Sequence, residues 1–470
     1  MSLKKIFINN MIFAFIAQII SILVSLVMTL GIPKVLTLDE YGYWQLFIFY
    51  TGFIGFFQFG LSDGIYLRYG GKNFQDLNKK IIKSQMVYGF LFQLFISLII
   101  LFIVSISNID KARFIILSSG AIYIVVGNLI TLLGFLLLAT NDIKYYSKSV
   151  LIEKISFIVI LPFLIYGKII SFSTLIVLFL FSKILSLIFL MFYFKAYVKV
   201  KTFNFKKSLS FIKIDVVYGI VLMFSNIAST LILGVGRFVI DDQWDITTFG
   251  KISLSLSATY FFLLLISQIS LSLFPVLRKL NYENQKNIFI KSCDFLGIIM
   301  LGVFLLYFPL ISFLNSWLPK YADSFKYLII LMPICLFEGK MQMIHNTYMK
   351  SLNKQKMLLY INLFILILSL LLTYINGYIF HNLFMVLYSM LICISLRSII
   401  TQLYLYKYYK TIFDSQIVIE VLFTILFLCV VSYLKNFIAL EIYLFVYIIY
   451  ILLIRKKFTG LMQFVLLKNN

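Results

Sequence analysis

The sequence predicts an all-α polytopic membrane protein with about fourteen transmembrane helices, and three observations predict it. First, 62% of its 470 residues are hydrophobic, 13% are charged, and the mean hydropathy is +1.01. A soluble fold has nowhere to hide that much apolar surface. Second, apolar runs of about 18 residues or more recur over the whole length, each sufficient to span a hydrocarbon core roughly 30 Å thick. Third, the loops between runs alternate between rich and poor in lysine and arginine. Repeated segments of ~10 residues with period-two alternation are not seen, which argues against an outer-membrane barrel.

The first span, 11–33, follows the basic start MSLKKIFINN. Its apolar run is too long for a leader and has no small-residue cleavage site, so it is expected to remain as a signal anchor. The second, 43–67, closes on FGLSDGIYLRYGG, and spans at 84–107, 114–139, 146–166 and 169–194 complete a group of six. The loop KAYVKVKTFNFKKSLSFIKID is the longest expected on the inside and reads as a hinge. Beyond it lie 214–237, 248–275, 292–315, 325–349, 357–379 and 383–406. A last pair, 416–434 and 437–454, is joined by only LKNF. The organisation is therefore a six-helix lobe (1–195), a cytoplasmic linker (196–213), a second six-helix lobe (214–410), and two additional helices with a tail (411–470). Links are short, so neighbouring spans are mostly antiparallel and no loop holds a globular domain.

Charge orients the array. With the N-terminus inside, and with residues toward either end of a span assigned to the nearer side, 29 of the 41 lysines and arginines belong to the inside, nine to the outside, and three (Lys183, Lys340 and Arg397) lie deep within spans. This positive-inside bias puts both termini in the cytoplasm. The net charge of +23 then describes loops facing anionic lipid, with no nucleic-acid partner implied.

The two groups of six show internal similarity. YGYWQLFIFYTGFIGFFQFGLSDGIYLRYG opens the second span and FGKISLSLSATYFFLLLISQISLSLFPVLRKL the eighth. Each begins with an aromatic-glycine pair after an acidic loop and reaches an arginine, Arg68 or Arg278. Six is even, so the repeats share one orientation and are expected to be related by a parallel pseudo-two-fold, as in transporters with a site between two lobes. The acidic loop, EYG, and the span ending GLSDGIYLRYG resemble the start of polysaccharide-biosynthesis flippases of the multidrug/oligosaccharidyl-lipid/polysaccharide exporter superfamily. Arg237, Asp242, Gly250 and Pro275 resemble that group's second repeat. The resemblance implies alternating access and movement of a lipid-linked oligosaccharide from the inner to the outer leaflet of a bacterial cytoplasmic membrane. Fourteen spans is similar to the lipid II flippase branch, although the first span lacks the charges that branch carries there.

Candidate functional residues follow from the cost of polarity in lipid. A charge at a helix centre costs roughly 2.5–3.5 kcal/mol on insertion scales. Lys183 in LFLFSKILSL and Arg397 in CISLRSIITQ occupy corresponding places in the two groups. They are the candidates for holding a substrate diphosphate, through charge-assisted hydrogen bonds. The alternative is that each pairs with a carboxylate of its own lobe, as Lys183 could with Glu153. On the tenth span, Glu338, Gln342 and His345 follow i, i+4, i+7 and share a face, while Lys340, two residues from Glu338, points elsewhere. Gln342, His345 and Lys340, with Gln18 on the first span and Asn226 on the seventh, are substrate-binding candidates. Glu338, Asp63, Glu153 and Arg237 are coupling or gating candidates. Pro333 is expected to kink the tenth span. Asp63 and Arg68 lie roughly 140° apart around a helix and do not pair. Asp63 shares a stripe with Gly60 and Gly64, a G-x-x-x-G that admits a close neighbour.

Other chemistries are poorly represented. The four cysteines lie in apolar runs without metal-ligand spacing, the two histidines are too few for a metal cluster, and no nucleotide-binding GxxxxGK[ST] occurs. No cofactor is expected and the chain is not expected to be an enzyme. The expected partners are a lipid-linked oligosaccharide, anionic lipids, a coupling proton or sodium ion, and a polysaccharide polymerase. A cation-coupled multidrug exporter is the alternative within transporters. A membrane polymerase or glycosyltransferase is the alternative of another class, disfavoured by short outside loops.

Overall fold

The structure, a computed structural model, describes residues 3–199, 205–277, 281–411 and 415–455, with side chains for these except 3–12, 14–15, 205–208 and 264–276. Arg278, the middle of the expected linker and the C-terminal tail beyond 455 lie outside the described residues.

The described chain is helical and contains no strand. It divides into two compact units, residues 1–227 and 228–470. The division falls inside one long helix of 39 residues rather than in the loop before it.

The first unit holds α1 (Leu3–Leu26), α2 (Ile32–Val35), α3 (Leu38–Thr51), α4 (Leu61–Tyr69), α5 (Lys79–Ile106), α6 (Lys111–Ala139), α7 (Ile143–Tyr166), α8 (Phe172–Tyr193), α9 (Lys195–Val198) and the start of α10 (Phe205–Gln243). The second holds the rest of α10, then α11 (Ile246–Leu277), α12 (Tyr282–Val303), α13 (Tyr307–Trp317), α14 (Phe325–Leu331), α15 (Ile334–Lys340), α16 (Asn346–Ser351), α17 (Gln355–Tyr374), α18 (Leu383–Tyr408), α19 (Gln416–Tyr433) and α20 (Asn436–Leu453). Among the described residues eleven helical segments are long and apolar enough to cross a membrane, and thirteen when two bent pairs are each taken as one span. The remaining expected span is α11, a helix of 32 residues.

The bent pairs are the places where a straight-span reading fails. The second span is broken, with α3 and its following 3-10 turns (Ile54–Gln58) meeting α4 at 63°. Phe59 and Gly60 both adopt left-handed backbone, φ 49° and 78°, which ends one helix and starts another. Backbone freed inside a membrane must be satisfied by protein, and three buried amides do this. Asn128 Nδ2 donates to the Ile54 carbonyl (3.1 Å) and to Gln93 Oε1 (2.7 Å). Gln93 Nε2 donates to the Phe57 carbonyl (2.7 Å), and Gln58 Nε2 donates to Asn128 Oδ1 (2.7 Å). The tenth span bends by 48° between α14 and α15, at Met332-Pro333, as the proline predicts. It then passes through a π-helical turn, Met341–His345, into α16.

The two units repeat one packing scheme. In the first, span one (α1) packs on span five (α7), span two (α3–α4) on span four (α6), span three (α5) on four, four on six (α8), and five on six. In the second, α11 packs on α14–α16, α12 on α15, α14 and α15 on α18, and α17 on α18. Ser369 Oγ of α17 donates to the Ile232 carbonyl of α10 (2.8 Å), completing the set. The same order of neighbours in six consecutive spans is the two-lobe repeat, recovered from contacts within each unit.

Lipid offers no hydrophobic drive between helices, so close backbone approach and polar pairs hold them. Gly60, which caps α4, and Gly64 within it press against Gly219 and Asp215 of α10: a Cβ on Gly64 would collide with the Asp215 carbonyl, and one on Gly219 with the Gly60 carbonyl. This is the close neighbour the G-x-x-x-G implied. Arg68 then pairs with Asp215 (2.9 Å), and Gln85 of α5 also bonds that carboxylate. The α19–α20 pair belongs to the second unit. Tyr443 and Tyr447 of α20 donate to the Leu301 and Ile298 carbonyls (3.0 and 3.1 Å) at the end of α12, and Tyr450 donates to Gln416 Oε1 (2.7 Å).

Candidate functional site

Each unit carries an intramembrane cation, and in each the cation is held against a carboxylate. In the first unit Ser171 caps α8 with a capping box, setting the helix so that Lys183 lies mid-span beside α7. Lys183 Nζ meets Glu153 Oε2 at 2.9 Å, and Lys154 Nζ meets Glu153 Oε1 at 2.9 Å. Lys154 is next to Glu153 on the helix and reaches it only through its long flexible arm. The rings of Tyr123 and Phe179 lie 5.6 and 5.3 Å from the Lys183 ammonium. Two cations surround one carboxylate, leaving an excess of one positive charge. The cluster is not sealed: the side chains of Lys183, Glu153 and Lys154 are 16%, 10% and 23% exposed.

In the second unit Arg397 of α18 contacts Glu338 of α15, and its Nη1 donates to Ser229 Oγ of α10 (2.6 Å). Gln342 Nε2 donates to Glu338 Oε1 (2.9 Å), as expected for i and i+4. His345 is completely buried, and neither ring nitrogen has a hydrogen-bond partner. Arg237, further along α10, donates to Ser253 Oγ (2.9 Å) and lies over the Phe249 ring, 5.0 Å away.

Lys183 and Arg397 each meet a carboxylate of their own unit, the pairing weighed above as the alternative, because an unpaired charge buried in a membrane costs more than a paired one. Arg397, with its side chain 1% exposed, is closed to solutes here. Lys340 points away from Glu338, as its spacing of two residues implies; it is 1% exposed and is held by both carboxylate oxygens of Glu420 of α19, at 2.9 and 2.7 Å.

The other candidates are dispersed. Asp63 is half-buried in the first turn of α4, where the break at Gly60 gives it the favourable end of a helix dipole. Gln18 is half-buried on α1, while Ser21 and Ser25 on its stripe bond their own helix's carbonyls. Asn226 is exposed on α10. Sequence reasoning missed Asp215, Gln85 and Glu420. Glu420 was detectable as a lone carboxylate in the apolar run SQIVIEVLF, since an intramembrane carboxylate calls for a partner as much as a cation does.

No protein-family model and no curated protein sequence matches the chain. Solved structures do. The chain is similar to the structure described as "Lipid II flippase MurJ, inward closed conformation", with a TM-score of 0.66 and 17% identity over 96% of this chain and 99% of that one. It is similar to an inward-facing multidrug resistance MATE family transporter of the MOP superfamily (TM-score 0.64, 12% identity, 84% of this chain and 94% of that one). It is similar also to a MATE transporter in complex with MaL6 (TM-score 0.58, 15% identity, 87% of this chain and 96% of that one). These chains are transporters or flippases, and this chain is a multi-pass membrane protein with the fold of the MOP-superfamily transporters.

Proposed function

We propose that the protein flips a polyprenyl-diphosphate-linked oligosaccharide from the inner to the outer leaflet of a bacterial cytoplasmic membrane, by alternating access, for surface polysaccharide synthesis. The observation that carries this reading is the partly open Lys154–Glu153–Lys183 cluster, whose excess positive charge suits an anionic headgroup. A diphosphate leaving water needs such compensation, whereas a cationic drug would be repelled. The likeness in fold to a lipid II flippase supports it as well, because it extends over 96% of the chain, against 84% for the first of the multidrug transporters. In this reading Glu153 and Glu338 take part in coupling to a proton or sodium ion. Arg237 and Asp63 assist gating, and Gln18, Asn226, Gln342 and His345 meet sugar or headgroup in other states of the cycle. Anionic lipids contact the lysine-rich loops, both termini lie in the cytoplasm, and a polysaccharide polymerase receives the product. An exporter of drugs is the second reading, favoured by the comparable TM-score of the multidrug transporter.

Removal of the protein from its host tests the reading. Lipid-linked oligosaccharide should accumulate on the cytoplasmic face and surface polysaccharide should fall at least ~10-fold, with rescue by the wild type but not by Lys183→Gln; for scale, tenfold corresponds to about 1.4 kcal/mol. Unchanged surface polysaccharide together with new drug sensitivity would favour the exporter.

A further inference from the structure

We infer that Glu153 is a resident stand-in for the substrate's diphosphate, displaced when the headgroup binds and protonated as it leaves, so that substrate binding takes up a proton at this one site. The inference rests on the flippase reading for the identity of the anion, and on the first unit's geometry for the rest.

Glu153 already occupies the place an anionic ligand would take, bridging Lys183 of α8 and Lys154 of α7 at 2.9 Å each. One carboxylate does not exhaust what these groups can bind. Two hydroxyls on the lysine's own helix, Ser182 beside it and Ser186 one turn on, are buried and have no hydrogen-bond partner. Serines inside membrane helices ordinarily bond a carbonyl of the preceding turn, as Ser21 and Ser25 do; these two do not. A diphosphate brings more charge and more acceptor oxygens than a carboxylate, so it competes for both ammonium groups.

The fate of the displaced carboxylate follows from its surroundings. The elements packed on α7 are α1, α6 and α8. α6 offers Tyr123 toward the cluster and α8 offers Lys183, while α7 itself adds Lys154 and Tyr146; the other two lysines of α7, Lys144 and Lys148, lie over the Phe13 ring of α1, 5.1 and 5.6 Å from its centre. α1 has no charged residue besides Lys4 and Lys5, near its start. Once both lysines turn to the diphosphate, Glu153 loses both of the cations paired with it among the described residues. Keeping it ionised there costs several kcal/mol, and accepting one proton from solvent turns it into a neutral acid that can hydrogen-bond. The diphosphate itself, bound by cations, tends to lose its last proton, so its own contribution has the opposite sign.

Calorimetry on the purified full-length protein, with farnesyl diphosphate as the probe and farnesol as the uncharged control, decides the matter. Titrations at pH 7.5 in two buffers of different ionisation enthalpy give the protons exchanged. The wild type should take up protons on binding. Glu153→Gln should bind more tightly by roughly tenfold and take up about one proton fewer, and its advantage should grow by up to ~10-fold per pH unit as pH rises. Lys183→Gln should weaken binding by ~10-fold or more. Proton release by the wild type, no binding of farnesyl diphosphate beyond that of farnesol, or equal proton counts in wild type and Glu153→Gln would overturn the inference. Should Glu153→Gln fail to fold, the sign of the wild-type exchange alone decides. Failure of this inference is separable from failure of the flippase reading: flipping with no Glu153-dependent proton leaves the function standing, and Glu153-dependent uptake without flipping leaves the site standing.

Discussion

Gly64→Ala is expected to destabilise the first unit by on the order of 3 kcal/mol or to prevent its folding, among the largest effects of any single methyl in this chain. The added Cβ would collide with the backbone carbonyl of Asp215, and backbone cannot rotate away as a side chain can. α4 and α10 would have to separate. Separation would also pull Asp215 from Arg68 and Gln85, leaving an unpaired buried carboxylate. Gly120→Ala is the control, because its Cβ would meet nothing within 4 Å; it should be neutral or gain a few tenths of a kcal/mol to ~1 kcal/mol from helix propensity. Thermal unfolding in detergent, followed by the fluorescence of buried Trp44, measures both. Equal melting of Gly64→Ala and wild type would mean that α4 and α10 do not touch in this way.

Breaking the Lys340–Glu420 pair should be comparably costly in the second unit. Both side chains are almost wholly buried, at 1% and 2% exposure. Lys340→Met or Glu420→Gln alone should cost about 3–5 kcal/mol, because each strands its partner's charge. Lys340→Met with Glu420→Met should recover most of the loss, since two apolar side chains of similar length can replace a buried pair with little net change. The buried thiols of Cys293, Cys335 and Cys393 supply the readout, through their reaction with a thiol-specific dye on heating. If Lys340→Met melts like the wild type, the pair does not tie α19 to α15. If the double variant is stable and still transports, Lys340 serves structure and not substrate.

Much of this architecture was legible in the sequence because hydropathy, charge bias and proline act locally. The apolar runs mark the helices, Pro333 marks the bend of the tenth span, and Gly60 and Gly64 mark a close crossing without naming the helix that makes it. Long-range partners were not legible. Arg68 could be excluded from pairing with Asp63 by helix geometry, but only the fold brings Asp215, 147 residues away, to its guanidinium. The break after Gln58 escaped the straight-span reading because Phe59 in left-handed backbone has no local signature, and the amides that satisfy it lie on α5 and α6. In the candidate site, the positions of Lys183 and Arg397 stood out by cost alone. Their counter-charges differ in legibility: Glu153 was weighed as a partner for Lys183, whereas the contact of Arg397 with Glu338 emerges only from the packing of α15 on α18.

The central claim is that the first unit's lysine cluster carries an anionic, lipid-linked headgroup across the membrane. The most direct measurement uses vesicles containing the purified protein and a polyprenyl diphosphate bearing a short oligosaccharide on one leaflet, with the glycan's arrival at the other leaflet read by an impermeant glycosidase. The account predicts protein-dependent transfer that falls at least ~10-fold, about 1.4 kcal/mol or more, in Lys183→Gln while Gly120→Ala transfers normally. Transfer no faster than in protein-free vesicles, or equal rates for wild type and Lys183→Gln, would contradict it.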